Sequence, residues 1–366
     1  MSKALTQILG GKNLTGVIQG VKSGIPRSMP QQFFTPNRTV TGDQATYTEV
    51  EGTRTTARIV QYGSPSQRRG LKGIKERSVK LIHTAEHQMH SPATLMNLRS
   101  YDSPERQRMG QQEIARQTRE FAMNFENLRV AAVQSAFALG SIYFDDEGNL
   151  LGSSSSAQIT VDYNIPSGNK TTLDVLGDGA IISAKWSAAG TAINTQLRNL
   201  KKAALKLTGY PIRHAFYGSA VPDYIFANTQ LKEIINRNPG YQQQAYELGQ
   251  VPNGLGGLQW HPADEAFFVD ADGSYQTLFN QYSVTFCPEP SPDWYEFIEG
   301  TYPVPTSIGS MSPDAESALG NVAEVGGMFS YAKVIDDPAT IKQVAGDTFV
   351  PAIKVPNAVF IGTVHW

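Results

Sequence analysis

The chain has 366 residues and 39.9 kDa, enough for two domains or for one large domain with insertions. Lys+Arg 31 against Asp+Glu 33 leaves a net charge of −2, which argues against a general nucleic-acid binder. A single cysteine, Cys287, excludes an intramolecular disulfide framework and any all-cysteine metal site. Charged residues make up 17% of the chain, against roughly a quarter in typical domains, while Gly 33 and Pro 21 without a collagen period point to many turns. The opening MSKALTQILGGKN lacks the apolar run of a secretory signal, and no run of about 18 apolar residues occurs. No membrane segment is therefore expected, and the cytoplasm is the expected place of synthesis and assembly.

The small net charge hides an asymmetry. Eight basic residues lie between Arg54 and Lys80 (Arg54, Arg58, Arg68, Arg69, Lys72, Lys75, Arg77, Lys80) with Glu76 as the sole acid. From Asp264 to Asp347 fourteen acids face only Lys333 and Lys342. Such segments are solvated faces, or the basic run of one subunit meets acidic surface on another, which sets register and partner choice more than affinity. A nucleic-acid site is a weaker reading of the basic run, because only Tyr62 interleaves it.

Residues 1–40 read as an arm. Gly10, Gly11, Gly16, Gly20 and Gly24 interrupt every apolar run and Pro26, Pro30 and Pro36 follow, a density that predicts neither a continued helix nor a central strand. Residues 41–90 predict a two-stranded excursion with a basic tip. Thr46–Val50, Thr53–Val60 and Ser78–Ile82 are β-type, and Glu51-Gly52 and Gly63-Ser64-Pro65 break them. It holds too few apolar residues for a core of its own and must lie on something else. Ser103-Pro104-Glu105 opens a helix by cap, first-turn proline and dipole-matched acid. Ile114, Thr118, Phe121, Phe125, Leu128, Ala132, Ser135 and Leu139 then form one stripe, opposite Glu113, Arg116, Glu120, Asn124 and Asn127. At about 1.5 Å per residue this is a strut of roughly 54 Å.

A hairpin of Ile142–Phe144 and Leu150-Leu151 follows, then a strand at Ile159–Tyr163. A basic amphipathic helix carries Ile193, Leu197, Leu200, Ala204 and Leu207 and stops at Gly209. A strand at Ala215–Gly218 precedes a helix from Pro222 to about Arg237, and hairpins run to Phe286. Pro-rich 287–305 and Gly-rich 309–327 read as connections, with strand character again over 349–364.

His83-Thr84-Ala85-Glu86-His87 matches H-x-x-E-H, which on a helix would place two zinc ligands on one face with Glu86 free to activate water; His90 lies one turn further. The strand character of Ser78–Ile82 and the proline at Pro92 oppose a helix there. Asp270-Ala271-Asp272-Gly273 lacks the remaining ligands of a calcium loop and reads as a hairpin turn. Gly254-Leu255-Gly256-Gly257 has neither phosphate-loop nor dinucleotide spacing, and Cys287 beside Pro288 reads as a packed thiol. No catalytic, cofactor or metal residues are assigned, and no enzyme is expected.

The order of arm, basic excursion, strut, mixed region and returning strand resembles the major capsid protein of tailed phages with the Hong Kong 97-type fold, nearest its lambda-type major head protein (capsid protein E) family. The carrying residues are Glu49-Val50-Glu51-Gly52 through to Lys80, Ser103-Pro104-Glu105-Arg106, and the ending Asp336-Asp337-Pro338, Gln343, Val350-Pro351 and Val355-Pro356-Asn357-Ala358-Val359-Phe360. The resemblance implies an α+β fold: arm 1–40, extended loop 41–95, peripheral domain 96–175 with spine helix 103–140, axial domain 176–329, and peripheral return strands 330–366. It implies hexamers and pentamers in an icosahedral shell around double-stranded DNA held without sequence-specific contacts. It also implies a portal, a separate scaffold protein, a decoration protein at three-fold positions and residence in the virion. Arg54, Arg58, Arg68, Arg69, Lys72 and Lys75 are the expected intersubunit contacts. An encapsulin-type nanocompartment, which shares the fold, and the zinc hydrolase are the rival readings.

Overall fold

The computed structural model describes residues 11–22, 29–49, 75–90, 104–146, 148–177, 179–263, 266–269, 274–305, 322–336 and 339–365. The chain opens on a helix, α1 (Gly11–Lys22), where the glycines predicted none. Leu14 and Ile18 recur four apart and are buried, and Thr15 Oγ1 donates to Ser330 O at 3.0 Å and accepts from Ser330 N at 3.1 Å. Gly16 and Gly20 fall on the opposite, open side. A helix glycine costs about 1 kcal/mol relative to alanine, and docking on the body outweighs that here. Met29 and a short turn, Gln31–Phe34, follow with Phe33 and Phe34 buried.

Strands β1 (Pro36–Val40), β2 (Gln44–Glu49), β3 (Lys75–Lys80) and β4 (Ile82–His90) come next. β2 and β3 pair antiparallel from Gln44↔Lys80 to Glu49↔Lys75. The strut is α2 (Pro104–Ala138), 35 residues and about 52 Å long. Most of the predicted stripe holds: Ile114, Thr118, Phe121, Phe125, Ala132 and Ser135 are buried, while Leu128 is half-buried and Leu139, also half-buried, lies just past the helix end. Gly140, with φ +74, ends it in the left-handed region that glycine tolerates. The predicted hairpin forms as β5 (Ser141–Phe144) with β6 (Leu150–Leu151), and β7 (Ile159–Asp162) pairs the other edge of β5.

After β8 (Lys170–Thr171), the basic helix α3 (Ile193–Thr208) stops at Gly209, φ +81, and β9 (Ile212–Tyr217) follows. The single helix expected from Pro222 to Arg237 is two, α4 (Val221–Ala227) and α5 (Thr229–Arg237). Asn228 divides them. It is extended and buried, its side chain accepts from Leu231 N and its Nδ2 donates to Thr191 O at 2.7 Å, so the side chain replaces helix bonds. Then come β10 (Gln259–Pro262), β11 (Ala266–Val269), β12 (Ser274–Thr277), β13 (Ser283–Pro288), β14 (Tyr295–Pro305), β15 (Val322–Gly326), β16 (Phe329–Asp336), β17 (Ala339–Ile353) and β18 (Phe360–Thr363). β11 and β12 form the expected hairpin; the acidic turn at 270–273 lies outside the described residues. The expected connection over 287–305 is instead largely strand, because Tyr295, Phe297, Ile298, Thr301 and Tyr302 are β-forming and the prolines of β14 fall only at its far end.

Two sheets organise two apolar cores. The first runs β1-β14-β17-β16, with β15 on β14 and β4 on the other edge of β17. The second runs β10-β9-β13-β18-β8 under α3, α4 and α5. The chain passes between these two sheets three times, from β4 to β8, from β13 to β14 and from β17 to β18. Sheet membership therefore does not follow the expected boundaries at 176 and 329: residues 295–305 pair in the first sheet and 360–363 in the second.

Candidate assembly interface

The strands that flank the basic stretch, β2 and β3, are anchored on the body. Ala45, Tyr47, Val79 and Leu81 are buried in the first core. Arg77 Nη1 donates to Asp162 O at 2.6 Å and its Nε lies 2.9 Å from Glu49 Oε2. Arg38 Nη2 donates to Thr46 O at 2.5 Å, and Arg38 and Lys354 both reach Glu296, at 3.5 and 2.5 Å. β4 is a full member of the first sheet, paired with β17 over nine residues from Ile341↔His90 to Phe349↔Ile82. The two-stranded excursion expected over 41–90 thus gives up 82–90 to the body. Of the expected contact residues, Lys75 sits exposed at the open end of the β2–β3 ladder. Arg54, Arg58, Arg68, Arg69 and Lys72 lie outside the described residues.

That root stands on a rigid keel, where α2 crosses β17. Arg129 is fully buried; its Nε and Nη2 donate to Asp347 at 2.5 and 2.6 Å. Its Nη1 lies 2.8 Å from Glu299 Oε1, a charge contact without hydrogen-bond geometry. The guanidinium carbon stacks 5.2 Å from the Phe297 ring and 5.3 Å from Phe349. Gln343 Nε2 donates to Thr118 Oγ1 and Ser330 Oγ, both at 3.1 Å, and joins α2 to β16 and β17. Sequence reading missed Arg129, yet a signal existed: it stands four residues from both Phe125 and Val133, on the buried face.

The H-x-x-E-H segment is strand β4, which removes the zinc geometry. Alternation sends Glu86 to the face opposite His83 and His87, and four strand residues separate those histidines by about 13 Å. His83 Nδ1 is 2.9 Å from Thr348 Oγ1 and its ring stacks on Tyr302. Asn124 Nδ2 donates to Glu86 at 3.2 Å, and buried His90 Nε2 donates to Gln343 Oε1 at 3.1 Å. Among the described residues no group of three or more His, Cys, Asp or Glu could hold a metal ion. Cys287 is buried and burial raises its thiol pKa well above the usual value, which suits a packed thiol and not a nucleophile.

Phe33, within the first core, packs between the two sheets, against β9 of the second and β14 of the first. Its ring meets Phe137, His214, Phe216 and Tyr295 at 5.4 to 5.7 Å, and Tyr295 Oη donates to Phe33 O at 2.8 Å. Next to it His214 Nε2 contacts Glu289 Oε2 and His214 Nδ1 contacts His261 Nε2, each at 3.0 Å. Burial, and after it the neighbouring His214, lower the His261 pKa to about 4, with Glu289 opposing. Burial likewise lowers His214 against the pull of Glu289. Both rings are neutral at pH 7 and serve as hydrogen-bonded cement.

A structural frame with a firmly anchored β2–β3 ladder is what a building block requires. A family model for phage major capsid protein E matches residues 12–297. The chain belongs to that family. Phage major capsid protein E members are structural shell proteins and not enzymes, and the family implies residence in the virion. No curated protein matches the sequence. Among solved structures, a putative capsid protein of a prophage of E. coli CFT073 is similar at 15% identity over 97% of this chain and 99% of that one, with a TM-score of 0.57, which shows a shared capsid-protein fold. A phage-related protein from Bordetella bronchiseptica RB50 (11% identity, 95% and 96% covered, TM-score 0.49) and an encapsulin complex from Synechococcus elongatus PCC 7942 (9%, 93% and 90%, TM-score 0.41) are more distant.

Proposed function

We propose that the chain closes an icosahedral phage head by the Hong Kong 97-type arrangement, as hexamers and pentamers of itself around double-stranded DNA. In this reading the first core, with α2 as spine, is the peripheral domain. The second core is the axial domain around capsomer centres, residues 1–40 are the arm and the loop lies within 41–95. The observation that carries it is the root of the basic excursion. The body holds Glu49 and Lys75 as the last register pair, and five of the six expected contact cations follow between them. An anchor of that rigidity limits where a neighbouring copy can be met. Acidic surface is available for the meeting, with Asp293 and Glu324 exposed. Heterologous contacts of this kind close by rotation, and many moderate ones let wrong pairings dissociate while the finished shell gains from multivalency.

Assembly in the host cytoplasm with a separate scaffold, a portal at one vertex and a decoration protein at three-fold positions completes the proposal. The test is Arg68→Glu with Arg69→Glu and Lys72→Glu. The expected outcome is loss of shells in sedimentation and electron microscopy while circular dichroism of the subunit is unchanged. Normal shells from the triple variant refute the contact assignment. Shells filled with an enzyme cargo instead of DNA would turn the reading into a nanocompartment.

A further inference from the structure

The chain's net charge of −2 conceals a second basic surface, on helix α3. Residues 193–208 contain Arg198, Lys201, Lys202 and Lys206 and no acid. Ile193, Leu197, Leu200 and Ala204 are buried in the second core. Arg198, Lys202 and Lys206, four residues apart, therefore form one row on the exposed side. Each step rises about 6 Å, so the row spans about 12 Å. Among the described residues none of the three has an ion-pair or hydrogen-bond partner. Two exposed cations on other helices are matched locally, Arg116 with Glu113 and Glu120, and Arg237 with Glu233. Lys201, by contrast, is committed to the chain, donating to Gly256 O and Gly257 O. Beside the row lies a groove of about 260 Å³, bounded by Leu176, Ile181, Asn199, Lys202 and Lys206.

Like charges four apart weaken a helix, and nothing within the described chain offsets this row. We propose that the exposed row of α3 is a contact for the phosphate backbone of double-stranded DNA. This inference rests on the reading that the shell encloses DNA. A duplex carries one negative charge per about 1.7 Å of axis, so three cations across about 12 Å each find a phosphate. Lysine is depleted at the cores of protein–protein interfaces, and two of the three cations are lysines, which favours nucleic acid over an acidic protein. The row presents charge and no bidentate pairing to base edges, so binding is independent of sequence.

The test compares the full-length unassembled protein with its Arg198→Gln, Lys202→Gln, Lys206→Gln variant. Glutamine matches lysine and arginine in helix propensity, and circular dichroism confirms an unchanged fold. Fluorescence anisotropy follows two unrelated duplexes of about 30 base pairs between about 50 and about 200 mM salt. The expected result is a slope of log K against log salt that is shallower by about 2.7 in the variant, since each lost phosphate contact removes about 0.9, and equally so for both duplexes. An unchanged slope, or no binding by the wild type at the lower salt, overturns the inference. Tighter binding of polyglutamate than of duplex by the wild type overturns it in favour of an acidic protein. Electron microscopy of both proteins separates the two levels: shells with unaltered DNA binding sink this inference alone, whereas a wild type that forms no shells sinks the shell reading beneath it.

Discussion

Replacing Arg129 by methionine tests whether the keel under the basic excursion is what makes the subunit rigid. The substitution keeps an unbranched apolar stem and removes the charge. It leaves Asp347, fully buried, and Glu299, 10% exposed at its side chain, without their shared cation. Glu126, also buried and close enough to act on Arg129, adds a third carboxylate. Breaking a buried pair from one side costs about 3–5 kcal/mol, because the partner charge stays behind unsolvated. Against a total stability of about 5–15 kcal/mol, that is a large fraction. At about 2–4 °C per kcal/mol for a large domain, the unassembled subunit's melting temperature falls by roughly 6–20 °C. The assay is a thermal melt of unassembled protein followed by near-ultraviolet circular dichroism, which reads the loss of fixed aromatic packing as a whole. Adding Asp347→Asn to Arg129→Met removes one orphaned charge and recovers part of the loss, because the two positions touch and are not additive. A fall of less than about 3 °C for Arg129→Met would falsify the claim that the buried cluster holds α2 to β17.

Acid should weaken the packing around His261 on β10. With the His261 pKa held down to about 4 against the ordinary 6.5, the unfolded chain takes the proton first; the stabilising contribution is full above pH 6.5 and is lost as pH falls toward 4. His261→Gln should flatten that dependence in urea midpoints measured between those values, and an unchanged profile refutes it. Gly346→Ala should destabilise by about 1–3 kcal/mol, since the new methyl would meet Phe329 Cζ at 2.4 Å and Thr84 O at 2.7 Å; a thermal melt equal to wild type would show that the sheet gives way freely.

The helix and strand pattern was legible wherever local chemistry and burial agree. The strut could be read from Ile114 to Ser135 because every third or fourth residue is apolar or small and buried, and α3 could be read with its stop because Gly209 alone tolerates φ +81 there. The reading failed where distant contacts overrule local preference. Helix α1 forms against its glycines because Leu14, Ile18 and Thr15 meet β16 and α2, and β14 forms in a stretch read as connection because β17 and β1 are waiting on either side. The basic stretch was visible as composition, but the tie of Arg77 to Asp162, 85 residues away, was not.

Composition and pattern by themselves determined that this chain mixes helix and strand, with a long strut and segregated charge, since those features depend on residue type and near neighbours. Only the tertiary structure decided that H-x-x-E-H is a strand with its glutamate turned away, that Arg129 is buried against Asp347 and Glu299, and that Phe33 packs between two sheets. Each of these depends on partners far along the chain, and burial, which sets the strength of a charge or a ring contact, exists only once those partners have met.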